Sequence, residues 1–161
     1  MKTILYADDN QHIRQFCQQE LEEEGYRVLV ARDGKEAVEL VRQLRPDVAI
    51  LDIRMPVASG LDAGERIRAM DPQLPIIFFT ANDDECLMDR RSRFAAACVE
   101  KCEDLTELKR AIVRLLASPK PAETYRTGLP PGVPGRPAWL DLLLGTRQSK
   151  REKEETSTEK E

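Results

Sequence analysis

Five times within the first 118 residues a short apolar run gives way to an amphipathic stretch, and this alternation constrains the fold more than any other feature. Thr3–Ala7, Tyr26–Ala31, Val48–Leu51, Pro75–Phe79 and Ala96–Glu100 read as strands from their length and apolar content. Val48-Ala49-Ile50-Leu51 is apolar without interruption, the pattern of a parallel strand covered on both faces. Between the runs, apolar residues recur at helical spacing. Gln11–Glu24 carries Ile13, Phe16, Cys17 and Leu21 on one stripe, with Asp8-Asp9-Asn10 as a capping cluster before it and Gly25 as a stop after it. Asp33-Gly34 opens a second helix with Ala37, Val38, Val41 and Leu44 on one face, ended by Pro46. Further helices are expected after the loop Ile53–Gly60 through Met70, between Asp83 and Arg93, and from about Asp104 to Leu116, where Leu108, Ile112 and Leu115 form a core stripe. Such alternation implies an α/β domain over residues 1–118: a doubly wound, five-stranded parallel sheet with right-handed crossovers and helices on both faces.

In an open parallel sheet, ligands bind beyond the carboxyl ends of the strands, near the point where strand order reverses. The unusual polar residues fall at those ends. Asp8 and Asp9 follow the first run, Asp52 the third, Thr80 the fourth and Lys101 the fifth. Adjacent carboxylates raise one another's pKa, so three of them converging call for a cation; all-oxygen ligation favours magnesium or calcium, and few protein ligands with open water positions suit magnesium better. Thr80 supplies a hydroxyl donor and Lys101 an ammonium, which with the cation make a cradle for an anion. A phosphoryl group matches that cradle in charge and size, and a carboxylate is a competent nucleophile for phosphorus. Asp52 is therefore the candidate phosphoacceptor. Taken singly, Asp9 or Asn10 is a helix cap, Asp52 a turn residue, Thr80 a strand-end residue and Lys101 a surface lysine. Their joint placement at strand ends argues against those readings.

Asp8-Asp9, the segment Asp52-Ile53-Arg54-Met55-Pro56 with Gly60, Thr80-Ala81 and Lys101 together resemble the response-regulator receiver domains of two-component signalling. The resemblance covers about residues 1–118 and implies a flavodoxin-like fold. It implies transfer of a phosphoryl group to Asp52 from the phosphohistidine of a sensor histidine kinase or phosphotransfer protein. It also implies magnesium held directly by Asp9, Asp52 and the backbone carbonyl of Arg54, with Asp8 acting through water, while Thr80 and Lys101 contact the phosphoryl oxygens. The implied role is a phosphoacceptor and not an enzyme, with self-catalysed phosphotransfer and autodephosphorylation at most. Arg54 and Asn82, two residues beyond Asp52 and Thr80, stand where side chains can gate the attacking water. The pattern departs at the fifth strand. Receiver domains usually carry Tyr or Phe three residues before the lysine and Pro just after it, where this chain has Cys98 and Cys102.

Composition narrows the function classes. The chain has 161 residues, 41% hydrophobic and 34% charged, with a net charge of -4, which argues against nucleic-acid binding through bulk charge. With no apolar run of about 18 residues and no basic-then-apolar start, neither a membrane span nor a secretory signal is expected, and the cytoplasm is the expected location. Cys17, Cys86, Cys98 and Cys102 are accordingly expected as free thiols; Cys98 and Cys102 flank the end of an extended strand, with Cα atoms roughly 13 Å apart, beyond disulfide reach. His12 is the only histidine, too isolated for a zinc site.

Prolines 119, 121, 130, 131, 134 and 137, mixed with glycines, mark residues 119–138 as a linker. Residues 139–161 hold a short apolar segment, Trp139–Leu144, and a charged tail expected to be disordered. This stretch is too short and proline-rich for a helix-turn-helix module, so the expected output is contact with a downstream protein through the fourth helix, fifth strand and fifth helix. The expected oligomeric state is a monomer or a phosphorylation-linked dimer. Two rivals use the same sheet: a phosphorylation-independent scaffold, and a metal-dependent phosphatase or hydrolase. The latter needs a general acid or base, and His12, a turn into the first helix, reads as a surface residue.

Overall fold

The computed structural model of the protein describes residues 1–81 and 83–118; the linker, the apolar segment with its tail, and Asn82 lie outside the described residues. The five apolar runs form strands β1 (Thr3–Ala7), β2 (Arg27–Ala31), β3 (Val48–Leu51), β4 (Ile76–Thr80) and β5 (Ala97–Glu100). They pair in parallel in the order β2-β1-β3-β4-β5, with Ala7 opposite both Ala31 and Leu51, and Thr80 opposite Glu100. Between them run α1 (Gln11–Glu23), α2 (Gly34–Leu44), α3 (Gly60–Met70), α4 (Asp83–Met88) and α5 (Thr106–Ala117).

Local chemistry sets the helix ends. Asn10 caps α1, its side chain accepting from the N–H groups of His12 and Ile13 at 2.9 and 3.2 Å. Beyond α1, Gly25 takes φ of +88°, a left-handed turn that glycine adopts without steric cost. The Asp33 side chain accepts from the Glu36 N–H at 2.8 Å and starts α2. Ser59 and Asp62 form a reciprocal capping box at the start of α3.

Because strand side chains alternate, the sheet has two apolar faces. Leu5, Ala7, Ala49, Leu51 and Phe78 face α2, α3 and α4, meeting Ala37, Val41, Leu61, Ala63, Ile67 and Cys86. Ile4, Tyr6, Ile50, Ile77 and Phe79 face α1 and α5, meeting Cys17, Leu21, Leu108, Ala111 and Ile112. This is the doubly wound, flavodoxin-like architecture. Chain order reverses between β1 and β3, which places the ligand crevice above the carboxyl ends of those two central strands.

Three expectations are corrected. The fourth helix stops at Met88 instead of Arg93, because Asp89 caps a new 3-10 turn at Arg90–Ser92, its side chain accepting from the Arg91 N–H at 2.8 Å. Phe16 and Leu44, expected on core stripes, are each 46% exposed. The cysteines are not all free thiols: Cys86 and Cys98 form a disulfide with Cα atoms 6.3 Å apart, while Cys17 and Cys102 are free. Sequence spacing compared cysteines along one strand and missed a partner supplied by a neighbouring helix.

Candidate functional site

The sheet itself spaces the site. Asp8, Asp52 and Lys101 each follow a strand by one residue, yet their backbone N–H groups still donate into the ladder, to Ala31 O at 3.1 Å, Ala7 O at 2.9 Å and Thr80 O at 2.8 Å. Adjacent strands lie about 4.8 Å apart, so carboxylates at the ends of β1 and β3 are forced into proximity. Asp8, Asp9 and Asp52 each present a carboxylate oxygen, and the three oxygens lie within 4.8 Å of one another. Asp8 is fully buried, Asp52 is 7% exposed and Asp9 faces solvent.

Lys101 neutralises part of that charge. Its Nζ donates to Asp8 Oδ2 at 2.6 Å and to Asp52 Oδ2 at 2.8 Å, and it stands 6.0 Å from the centre of the Phe79 ring. Burial pushes the Asp52 carboxyl above its usual range, and this outweighs the pull of Lys101 in the other direction. Burial alone would lower Lys101, but its bonds to Asp52 and Asp8 hold the ammonium above its ordinary pKa. Asp52 Oδ1 also accepts from the Arg54 N–H at 3.3 Å. Thr80 closes β4 and is buried at 2% exposure.

Two residues of the site were not singled out in the sequence. The Tyr6 hydroxyl donates to Asp8 Oδ2 at 3.1 Å from inside the sheet, where burial and the nearby Cys17 and Asp8 raise its pKa. Tyr6 on β1 and Asp8, one residue past its end, are two apart and so share a face, a signal available from the period-2 pattern. Arg14, a turn into α1, reaches back so that Nη1 donates to the carbonyls of Asp8 and Asp9 at 2.6 and 2.9 Å. Helical side chains lean toward the N-terminus, so an arginine one turn past an acidic loop was the available clue.

Asp8 is saturated. Its Oδ2 accepts from Tyr6 and Lys101, and its Oδ1 from the Asn10 N–H at 2.9 Å. Asp9 and Asp52 keep carboxylate oxygens toward the crevice, so the donor set fits a small, hard divalent cation such as Mg2+. Gly60 lets the loop after Asp52 fold back tightly: a Cβ there would lie 1.9 Å from the Asp52 carbonyl oxygen. His12 is exposed at the start of α1, and the Lys101–Cys102 peptide is trans.

Comparison with known proteins agrees with this geometry. Residues 4–113 match the family model of the response regulator receiver domain. Among curated proteins, the response regulator MprA of Mycolicibacterium vanbaalenii is 39% identical over 80 residues, covering 50% of this chain and 35% of that protein. The probable transcriptional regulatory protein TcrX of Mycobacterium tuberculosis is 37% identical over 81 residues, with the same coverage of 50% and 35%. The aligned part thus spans about a third of the length of these relatives. Among solved structures, the response regulator TrrA of Thermotoga maritima in complex with Mg2+-BeF is 38% identical at a TM-score of 0.69, covering 72% of this chain and 100% of that one. TrrA bound to the histidine kinase ThkA gives 36% identity and a TM-score of 0.68, over 73% of this chain and 100% of that one. The chain belongs to the response-regulator receiver-domain family. Its acidic cluster is compatible with magnesium, and among the described residues no helix is long and apolar enough to cross a membrane.

Proposed function

We propose that this domain accepts a phosphoryl group on Asp52 in a magnesium-dependent transfer from the phosphohistidine of a sensor histidine kinase or phosphotransfer protein. The observation that carries this reading is the convergence of Asp8, Asp9, Asp52 and Lys101 at the carboxyl ends of the strands. Asp9, Asp52 and the carbonyl of Arg54 would hold the ion directly, and Asp8, buried behind them and bonded to Tyr6, Asn10 and Lys101, would act through water. Bound Mg2+ would supply neutralisation of the phosphoryl oxygens.

A carboxylate oxygen of Asp52 forms the new bond to phosphorus while the histidine N–P bond breaks, its electron pair returning to the ring nitrogen. Lys101, released from Asp52, follows the phosphoryl oxygens with its ammonium, and the Thr80 hydroxyl donates to them. Hydrolysis by water returns Asp52 to its carboxylate; Arg54 and Asn82 govern that water's approach. The domain works as a cytoplasmic phosphoacceptor with no separate substrate, as a monomer or a phosphorylation-linked dimer. Its output is contact with a downstream protein through α4, β5 and α5, aided by residues 139–161.

Incubation of the full chain with magnesium and acetyl phosphate tests the reading by intact mass. A gain of one phosphoryl group is expected, absent with EDTA and absent in Asp52→Asn. No gain, or a gain that survives Asp52→Asn, overturns it.

A further inference from the structure

The Cys86–Cys98 disulfide belongs neither to the acidic site nor to a secreted framework, and its position gives it leverage. Cys98 lies on β5 opposite Phe78 of β4. Phe78 and Thr80 are two apart on β4, so Cys98, Phe78 and Thr80 point to the same face of the sheet. Cys86 reaches that face from α4 and is fully packed there, 1% exposed, whereas Cys98 is only partly buried. The bond therefore ties α4 to β5 one diagonal step from Thr80.

α4 has six residues, less than two turns, and a helix of that length does not hold itself in water. Its placement depends on tertiary ties. Besides packing, the segment after it is tied by the Ser92 hydroxyl, which donates to the carbonyls of Cys86 and Asp89, and by Arg91, which pairs with Asp62 of α3 at 3.0 Å. The Arg91–Asp62 pair is solvent-exposed and weak. The disulfide is the one covalent tie of α4 among the described residues. In a cytoplasmic protein a disulfide is exposed to reducing thiols, and bonds of this kind are commonly transient or redox-sensing.

We propose that Cys86 and Cys98 form a reversible redox site, reduced by low-molecular-weight dithiols, whose state decides whether α4 is fixed to β5. A thiolate of the reductant attacks the more accessible Cys98 sulfur, forming a mixed disulfide and releasing the Cys86 thiolate, which takes up a proton. The reductant's second thiolate attacks its own sulfur in the mixed disulfide. It leaves as a cyclic disulfide, and Cys98 departs as a thiolate and is protonated. Two electrons and two protons pass to the protein. Hydrogen peroxide reverses the change: one cysteine, as its thiolate, attacks peroxide to give a sulfenic acid and hydroxide, which takes up the thiol's proton as water. The second thiol then attacks the sulfenic sulfur to form the S–S bond and release a second water. Cys17 and Cys102 take no part; Cys17 is buried on the opposite face and Cys102 lies past the strand end.

The chemistry of the pair stands apart from phosphorylation; only its consequence for signalling rests on the reading of Asp52. The test uses the full chain without a phosphodonor, peroxide-oxidised or dithiothreitol-reduced under native conditions, followed by alkylation mapping and hydrogen exchange. Alkylation of Cys86 and Cys98 is expected only after reduction. Amide exchange over residues 83–92 is expected to quicken by about tenfold or more on reduction, with β1 and β3 unchanged. Cys98→Ser and, separately, Cys86→Ala should exchange at the fast rate in both conditions. Labelling of both cysteines before reduction, a bond that resists native reduction, or equal exchange in both states overturns the proposal. With acetyl phosphate added, a further change over residues 83–92 is expected in the reduced chain alone. Failure of Asp52 to load would defeat the phosphoacceptor reading and leave the redox result standing.

Discussion

Replacing Lys101 with methionine keeps the reach of the side chain and removes the ammonium that bridges Asp8 at 2.6 Å and Asp52 at 2.8 Å. Two carboxylates, one fully buried and one 7% exposed, then face each other without a cation between them. Breaking a buried ion pair by removing one partner costs about 3–5 kcal/mol. The Lys101 side chain retains 15% exposure, so water reaches part of the deficit and the lower end, about 3 kcal/mol, is expected. A cation that binds only the folded chain returns about 2.7 kcal/mol at a hundred times its dissociation constant. Urea unfolding of both proteins at neutral pH, in EDTA and in saturating Mg2+, measures the balance. The variant should lie about 3 kcal/mol below the parent in EDTA, bind Mg2+ more tightly because nothing competes for Asp52 Oδ2, and so gain more from Mg2+ than the parent does, narrowing the gap. Equal stability of the two proteins in EDTA, or equal stabilisation by Mg2+, would refute the charge argument.

Three further outcomes follow from the same contacts. Gly60→Ala forces a Cβ to within 1.9 Å of the Asp52 carbonyl oxygen, so the loop must move; thermal unfolding should show a loss of about 3 kcal/mol together with slower phosphoryl loading. Tyr6→Phe deletes a donor to a buried carboxylate at 3.1 Å, and urea unfolding should report a loss of about 1.5–3 kcal/mol. Asp52→Asn should stabilise the metal-free domain at neutral pH, since burial raises the Asp52 pKa on folding and its ionised form opposes the folded state. The cost of Asp52 is absent in acid and grows as pH climbs from the ordinary carboxylate range through the raised folded value. The stability gap between variant and parent should therefore close on acidification, and a gap that widens in acid would contradict the assignment.

Much of the fold was legible because each strand is an unbroken apolar run that stops abruptly at a polar residue. Val48–Leu51 ending at Asp52 signals both a buried parallel strand and the place where its backbone emerges. The positions of Asp8, Asp9, Thr80 and Lys101 were legible for the same reason: the sheet, not a local turn, sets them. What stayed hidden depends on contacts between elements. Tyr6 read as one more apolar strand residue and Arg14 carried no sequence signal of its own, until the fold brought each to Asp8. α4 was overextended because Arg90–Arg93 carries helix-compatible residues, and only the Asp89 cap interrupts them. The Cys86–Cys98 bond spans a helix and a strand 12 residues apart, a pairing that spacing along a single element cannot reveal.

The central claim is that Asp52, and no other carboxylate of the cluster, carries the phosphoryl group. Borohydride reduces an acyl phosphate to an alcohol, so treating the loaded chain with borohydride and mapping its peptides marks the acceptor directly. Homoserine at position 52, dependent on magnesium during loading, is the expected result. Homoserine at Asp8 or Asp9, or none at any aspartate of a chain whose mass shows loading, would contradict the account.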